Sequence, residues 1–271
     1  MLGTVDPMTA TVGPLLRGWR QRRRLSQLDL AVQAEVSARH LSFVETGRSK
    51  PSPELLLHLA DHLDVPLRER NTLLLAAGYA PRYAETPLDE RAMAPARGAL
   101  QTILDGHDPF PAIVVDGHWN LVNANAPAVE LMGALVAPHL LEPPTNGLRL
   151  SLHPDGLAAH IENLGEYGSH VVARLDRQAA ATGDDELVAL ADELRGYLGD
   201  ALEPSPTDPA SLLFVPMVIR TPLGPLRLFS TIATFGTALD ITLAELAIEA
   251  FFPADEETAA ALHRHRGPPS A

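Results

Sequence analysis

The chain has 271 residues, 46 % of them hydrophobic, with 34 acidic residues against 21 Lys and Arg, a formal net charge of −13 and no cysteine. That length favours two domains over one, that charge argues against a protein that coats nucleic acid over its whole surface, and the absence of thiols excludes disulfides, cysteine–zinc sites and thiol catalysis, which fits a reducing cytoplasm. No apolar run approaches the roughly 20 residues of a membrane helix, and residues 1–12, with neither a basic end nor an apolar stretch, are expected to be a disordered start rather than a signal peptide.

The charge is unevenly placed. Residues 1–80 hold ten Lys and Arg against eight Asp and Glu, and the rest hold 11 against 26. The basic excess is densest in "RGWRQRRR", residues 17–24, which suggests one part for an anionic polymer and another for something else; a solvated helix face is the plainer alternative. Over residues 13–80 five short helices are expected. The first is "GPLLRGWRQRRR", with Leu15, Leu16 and Trp19 at helical spacing. The second is "QLDLAVQA", capped by Ser26, with Leu28, Leu30 and Ala31 inward. The third is "ARHLSFVE", capped by Ser37 and stopped by Gly47. The fourth has Pro53 in its first turn and Leu56, Leu59, Ala60 and Leu63 inward, and the fifth is closed by Gly78 and Pro81. A tight turn between the second and third helices describes a helix-turn-helix domain.

"LSQLDLAVQAEVSARHLSFVETGRSKPS" also resembles the lambda-repressor-like (XRE) DNA-binding domain, with Ser26, Gln27, Leu30, Ala31, Val36, Ser37, Ser42, Glu45, Gly47, Pro51 and Ser52 matching its pattern. Glu35 departs from it, standing where that family usually has glycine in the turn. On the third helix, Val36, Leu41 and Val44 are expected to face the core, leaving Ser37, Ala38, Arg39, His40, Ser42 and Phe43 outward. The major groove admits a helix, and an arginine can bond guanine O6 and N7 together, so Arg39 is the expected base reader. Phe43 or Ala38 suits a thymine methyl. Gln27, Arg48 and Lys50 suit phosphates, which set register without reading sequence. Glu45, a carboxylate that phosphates would repel, is expected to hold structure.

Residues 81–97, polar and proline-bearing, read as a linker. A helix is expected over "ARGALQTILDGHD", strands over "AIVVD" and "WNLVNA" with a tight turn at "DG", a helix over "APAVELM", and a largely helical region from 148 to about 198. "DALEPSPTDPAS" reads as a loop, and "LLFVPMVIR" and "PLRLFSTIATFG" as an antiparallel strand pair. "DITLAELAIEAFFPAD" reads as a helix opened by a capping box, Thr242 to Glu245, and closed at Pro253. "HRHR" at 263–266 reads as a charged helix end or as the start of a tail over residues 263–271. Composition alone describes residues 98–262 as a mixed α+β domain.

The stretches "PAIVVDGHWNLVNANAPA", "LHPDGL", "NLGEYGSHVVARL" and "FSTIATFGTALDITLAELAIEAFFPAD" resemble the ligand-binding domain of MmyB-like transcription regulators. The resemblance implies a PAS-like antiparallel sheet with flanking helices around a small apolar, fatty-acid-like ligand. A cleft for such a molecule has apolar walls and a few oriented polar groups. Candidate lining residues are Trp119 and Asn123 on the early strand, His170 and Arg174 a turn apart on a central helix, and Phe214 and Phe229 on late strands. Arg174 suits a carboxylate head group.

No phosphate loop, dinucleotide fingerprint, HExxH or GxSxG motif is present. His58 and His62 lie four apart, a spacing metals accept, but no third ligand is evident. The expected protein is a cytoplasmic, non-enzymatic transcription regulator that binds double-stranded DNA as a homodimer and senses a small apolar ligand. No cofactor is expected beyond that bound molecule. Two alternatives stay open: a DNA-binding scaffold whose second domain only dimerises, and an enzyme acting on an acyl compound.

Overall fold

The structure, a computed structural model, describes residues 11–202 and 215–266. The described residues fall into two compact units. The first runs to Thr86 and takes in Ala180–Gly183 and Thr237–Ala244; the second holds Pro87–Ala179, Asp184–Gly236 and the chain from Glu245.

The first unit contains α1 (Val12–Arg22), α2 (Gln27–Gln33), α3 (Ala38–Glu45), α4 (Pro53–His62) and α5 (Leu67–Ala76). Ser26, Ser37 and Ser52 cap α2, α3 and α4 by accepting from the backbone N–H three residues on, and Pro53 stands in the first turn of α4. All five helices end through one left-handed residue: Arg24 (φ 56°), Glu35 (52°), Gly47 (72°), Asp64 (45°) and Gly78 (76°). The same pair of reversed hydrogen bonds closes each; at α2 they run from Glu35 N–H to Val32 O (3.2 Å) and from Val36 N–H to Ala31 O (2.9 Å). Leu16, Trp19, Leu30, Leu41, Val44, Leu59 and Leu73 fill the core between the helices. Leu28, expected inward, is 63 % exposed. The buried face of α2 follows Leu30, Ala31 and Ala34, and Leu28 lies with Val32, four residues on, along the opposite face. A Cβ at Gly13 would stand 2.5 Å from Glu45 O, so only glycine lets α1 approach the end of α3 this closely.

Glu35 carries a left-handed φ in a position that suits glycine. The left-handed penalty for a non-glycine residue is about 1–2 kcal/mol. It exceeds the roughly 0.4–1 kcal/mol that glycine's freer unfolded chain takes back. Glu35→Gly is therefore expected to raise the melting temperature of the first unit by a few degrees in a thermal unfolding scan; a fall would show that the Glu35 side chain contributes more than its backbone costs.

The second unit comprises α6 (Ala94–Gly106), β1 (Ala112–Val115), β2 (Leu121–Ala124), α7 (Ala126–Leu135), α8 (Gly147–Leu152), α9 (Leu164–Thr182), α10 (Asp185–Leu198), β3 (Met217–Thr221), β4 (Gly224–Thr234), β5 (Ala247–Pro253) and α12 (Glu256–Arg266); α9 runs on past its boundary at Ala179, and the short α11 (Ile241–Glu245) lies across the later one. The five strands form one antiparallel sheet in the order β2-β1-β5-β4-β3, as the α+β reading expects. Asn125 locks its first corner, accepting from the N–H of Ala112 and Ala128 and donating to the carbonyls of Leu104 and Phe110.

One element differs in kind from the sequence reading. The helix expected to run to Pro253 stops at Glu245, and Ala247–Pro253 is the central strand β5, paired with β1 on one side and β4 on the other. Its cap is Asp240, which accepts from Thr242 N–H at 2.9 Å, rather than a Thr242–Glu245 box. The run Ala-Ile-Glu-Ala-Phe-Phe fits either period, and two waiting strand edges decide between them. Of the two readings of "HRHR", the charged helix end is the one that forms: His263–Arg266 are the last turn of α12. Residues 94 and 95, expected in the linker, already belong to the first turn of α6. Residues 82–85 are tied to α5, where Asn71 bonds the backbone of Arg82 and Tyr83 and Arg68 pairs with Glu85.

Candidate nucleic-acid interface and ligand cavity

The outward face of α3 begins at its capped N-terminus. Ser37, Arg39 and His40 are exposed, and Ala38, Ser42 and Phe43 are half-buried. Ala38 packs partly on the core, so its methyl is less available than expected. Phe43 is flanked by two guanidiniums, Arg39 at 5.4 Å and Arg48 at 6.0 Å from the ring centroid. It is a shelf that spreads two positive charges along one face. Lys50 stands over the Tyr79 ring at 4.6 Å, and the Tyr79 hydroxyl donates to Pro51 O. Arg39, Arg48 and Lys50 thus form an exposed basic strip at the helix and just beyond it.

Two expectations about charge change here. Gln27 is engaged in the interior of the unit, its amide donating to Glu45 Oε2 at 2.8 Å. Glu45, 6 % exposed, also receives Arg20 in a two-point pair at 2.7 and 2.8 Å, and Arg20 donates further to Leu25 O. Burial pushes the Glu45 carboxyl up, but the hydrogen bonds from Arg20 and Gln27 and the charges of Arg20 and Arg17 outweigh it and hold Glu45 below its ordinary value. The arginine run itself is largely structural: Arg20 is buried, Arg22 lies over the Trp19 ring at 4.8 Å, and Arg23 caps α4 by donating to Leu63 O and Asp64 O. The sequence shows the arginines but not these partners. Similarly, His58 bonds Ala34 O at 2.8 Å and meets His62 edge-on.

In the second unit a cavity of about 210 Å³ lies between α9 and strands β3–β5. Helix α9 contributes Tyr167, His170, Val171 and Arg174, which share one helical face, and the strands contribute Met217, Leu228, Ser230, Ile232 and Phe251. A smaller space of about 50 Å³ lies behind it, walled by α7, α8 and β1 with Glu249; Tyr167, Met217, Leu228 and Phe251 border both. His170 is held below its ordinary pKa by burial and by the nearby Arg174 and Arg177 charges, which favours the neutral ring. Burial and the Glu249 charge push the Tyr167 phenol up, and its hydroxyl meets Ser151 at 3.2 Å.

Arg174 reaches the cavity but already has an anionic partner. It donates to Glu249 Oε1 at 3.1 Å, and its guanidinium lies 4.5 Å over the Trp119 ring. Glu249, 5 % exposed, accepts from Ser230 as well. The Arg174 Nε is buried with no hydrogen-bond partner among the described residues. Of the other candidate lining residues, Trp119 is the shelf beneath Arg174 and donates to Gln178, outside both cavity walls. Asn123 lies on β2 bonding Gln101 and Ala124. Phe229 is on the wrong face of β4: Leu228, Ser230 and Ile232 line the cavity, whereas Phe229 stacks on Phe252 at 5.5 Å. Strand alternation makes neighbours in sequence face opposite ways. Phe214 lies outside the described residues. Phe251 and Glu249 were not anticipated because their segment reads as a helix; the spacing 167, 170, 171, 174 was a legible signal for the α9 face.

A family model described as MmyB-like transcription regulator ligand binding domain matches residues 96–264, and one described as a helix-turn-helix domain matches residues 12–73. No curated protein matches the chain. Among solved structures, it is similar to that of an RNA-binding light-oxygen-voltage receptor at 14 % identity and a TM-score of 0.26, covering 95 % of this chain and 64 % of that one. None of the described helices is long and apolar enough to cross a membrane.

Proposed function

The chain belongs to the MmyB-like transcription regulators, whose ligand-binding-domain model covers more than half of it, and on that premise we propose that it binds an operator through α3 as a homodimer and adjusts that binding to a small apolar molecule, fatty-acid-like, held between α9 and the sheet. It acts in the cytoplasm and catalyses no reaction. The observation that carries the reading is a cavity with largely apolar walls that includes Arg174, itself paired with Glu249 of the adjoining inner space, in a unit distinct from the helix-turn-helix unit. The space of about 210 Å³ is below the roughly 300–1,000 Å³ usual for ligand sites. It suits a short or medium acyl chain; a longer one needs Tyr167 and Phe251, on the border with the inner space, to swing aside. Coupling to DNA requires that the ligand bind the two operator-affinity states unequally.

Mobility-shift titration of an operator library with and without medium-chain acyl compounds tests both halves. An acyl compound that shifts the operator midpoint supports the sensor, and native mass spectrometry showing an empty dimer with no response supports a scaffold. Turnover of a labelled acyl compound supports an enzyme. At the DNA end, Arg39→Ala is expected to remove discrimination at one base pair per half-site, about 1–3 kcal/mol, while leaving general binding and the melting temperature intact. Unchanged discrimination across single-base operator variants defeats that assignment.

A further inference from the structure

We infer that His139, His153 and Asp155 form a binding site for a divalent transition-metal ion in the second unit. His139 sits on the single turn Pro138–Leu141, His153 ends α8, and Asp155 follows two residues later. One ligand atom from each lies within 4.8 Å of the other two, and His139 Nε2 is 3.7 Å from Asp155 Oδ2. Ligand atoms around a tetrahedral zinc ion stand about 3.4 Å apart, from bonds of about 2.0–2.2 Å. Movement of roughly an ångström by His139 and Asp155, both exposed, closes the shell, and His153, whose Nδ1 accepts from Asp155 N–H at 3.0 Å, exchanges that bond for the ion.

The backbone beneath the cluster is pinned. Ala137 N–H donates to Asp155 O at 3.0 Å, which joins the two segments, and Gly156 N–H donates to His153 O at 2.8 Å. A Cβ at Gly156 would stand 2.3 Å from Leu150 O, so this turn is pressed against α8 in a way that only glycine permits. The His153 ring is steadied edge-on against Tyr197 at 4.8 Å and faces His139 at 5.9 Å.

The donor set selects the ion. Two imidazoles with one carboxylate suit zinc, nickel or copper, whereas calcium and magnesium take oxygen shells. Glu193 is held by Arg149 at 2.7 and 2.8 Å and by Tyr197, so it does not join the shell. Three protein ligands with an open position describe an exchangeable ion rather than a closed structural one. The ion would fasten the turn at His139 to the end of α8, the helix that carries Leu148, Leu150 and Ser151 into the wall of the inner cavity.

Calorimetric titration of zinc into the full-length, chelator-stripped protein tests this, with nickel as a second probe. A single equivalent is expected to bind and to raise the melting temperature. His139→Gln and Asp155→Asn, at exposed positions, are each expected to keep the metal-free melting temperature and weaken zinc by about tenfold or more, the scale on which even outer-shell partners act. Absence of zinc binding overturns the site, and so does binding that both variants leave unchanged, since the ion then sits elsewhere. Neither DNA nor acyl binding enters the readout, so failure here is distinct from failure of the regulator reading.

Discussion

Arg20→Ala is expected to destabilise the first unit by about 3–5 kcal/mol, the range for breaking a buried ion pair by removing one partner. The side chains of Arg20 and Glu45 are 9 % and 1 % exposed, so Glu45 would be left as a buried charge with Gln27 as its hydrogen-bond donor and the Arg17 charge nearby. Small domains have about 5–15 kcal/mol in total, so the loss takes a large share of the unit's stability and lowers its melting temperature. Circular-dichroism melting separates this from Arg39→Ala, which loses base discrimination without losing the melt. The double variant Arg20→Met with Glu45→Leu is expected to recover most of the stability, because an apolar pair leaves no charge behind; a double variant as unstable as the single one would place the cost in packing. The pair also sets a pH dependence. Glu45 is held below its ordinary value of about 4.5 by Arg20 and Gln27 against the effect of burial. A depressed folded value means that its contribution is fully present above the ordinary value and is lost as pH falls through the lower folded one. The acid loss of stability below about pH 4.5 should therefore be shallower in Glu45→Gln, even though that variant starts lower.

Glu249→Gln is expected to change which ligands the cavity takes. In the wild type the protein's own carboxylate neutralises Arg174, so a ligand carboxylate must compete with it. Without Glu249, Arg174, with 21 % of its side chain exposed, becomes a partly buried, unpaired cation. The empty variant should lose about 3 kcal/mol, the low end of the range for a broken buried pair. It should then be rescued by a ligand that supplies the missing charge, since binding to the folded state stabilises by mass action. Decanoate is expected to raise the melting temperature more in Glu249→Gln than in the wild type, and decanol to raise both alike. Equal responses to the two compounds in both proteins would remove Arg174 from head-group recognition. No response to either, in either protein, would instead end the acyl reading of the cavity.

The arrangement of the first unit was legible because its determinants are local. Ser26, Ser37 and Ser52 bond within their own first turns, Gly47 and Gly78 supply left-handed residues where helices stop, and the inward leucines of α4 repeat at three and four. The same proximity let Glu35 stand out in its turn, where the related family usually has glycine and where its φ is left-handed. Family membership was legible for a related reason, since motifs such as "LHPDGL" are contiguous.

What only the tertiary structure decided depends on contacts between distant residues. The segment at 247–253 is a strand because β1 and β4 offer it hydrogen bonds on both edges, which no local period reveals. That assignment puts Phe251 rather than Phe229 into the cavity and brings Glu249 to Arg174, 75 residues away along the chain. The arginine run likewise reads as a basic patch until Arg20 meets Glu45 and Arg23 meets the end of α4. Local periodicity and caps specify helices and where they end, but a charge or an aromatic ring acquires its role from whichever distant residue folding brings against it.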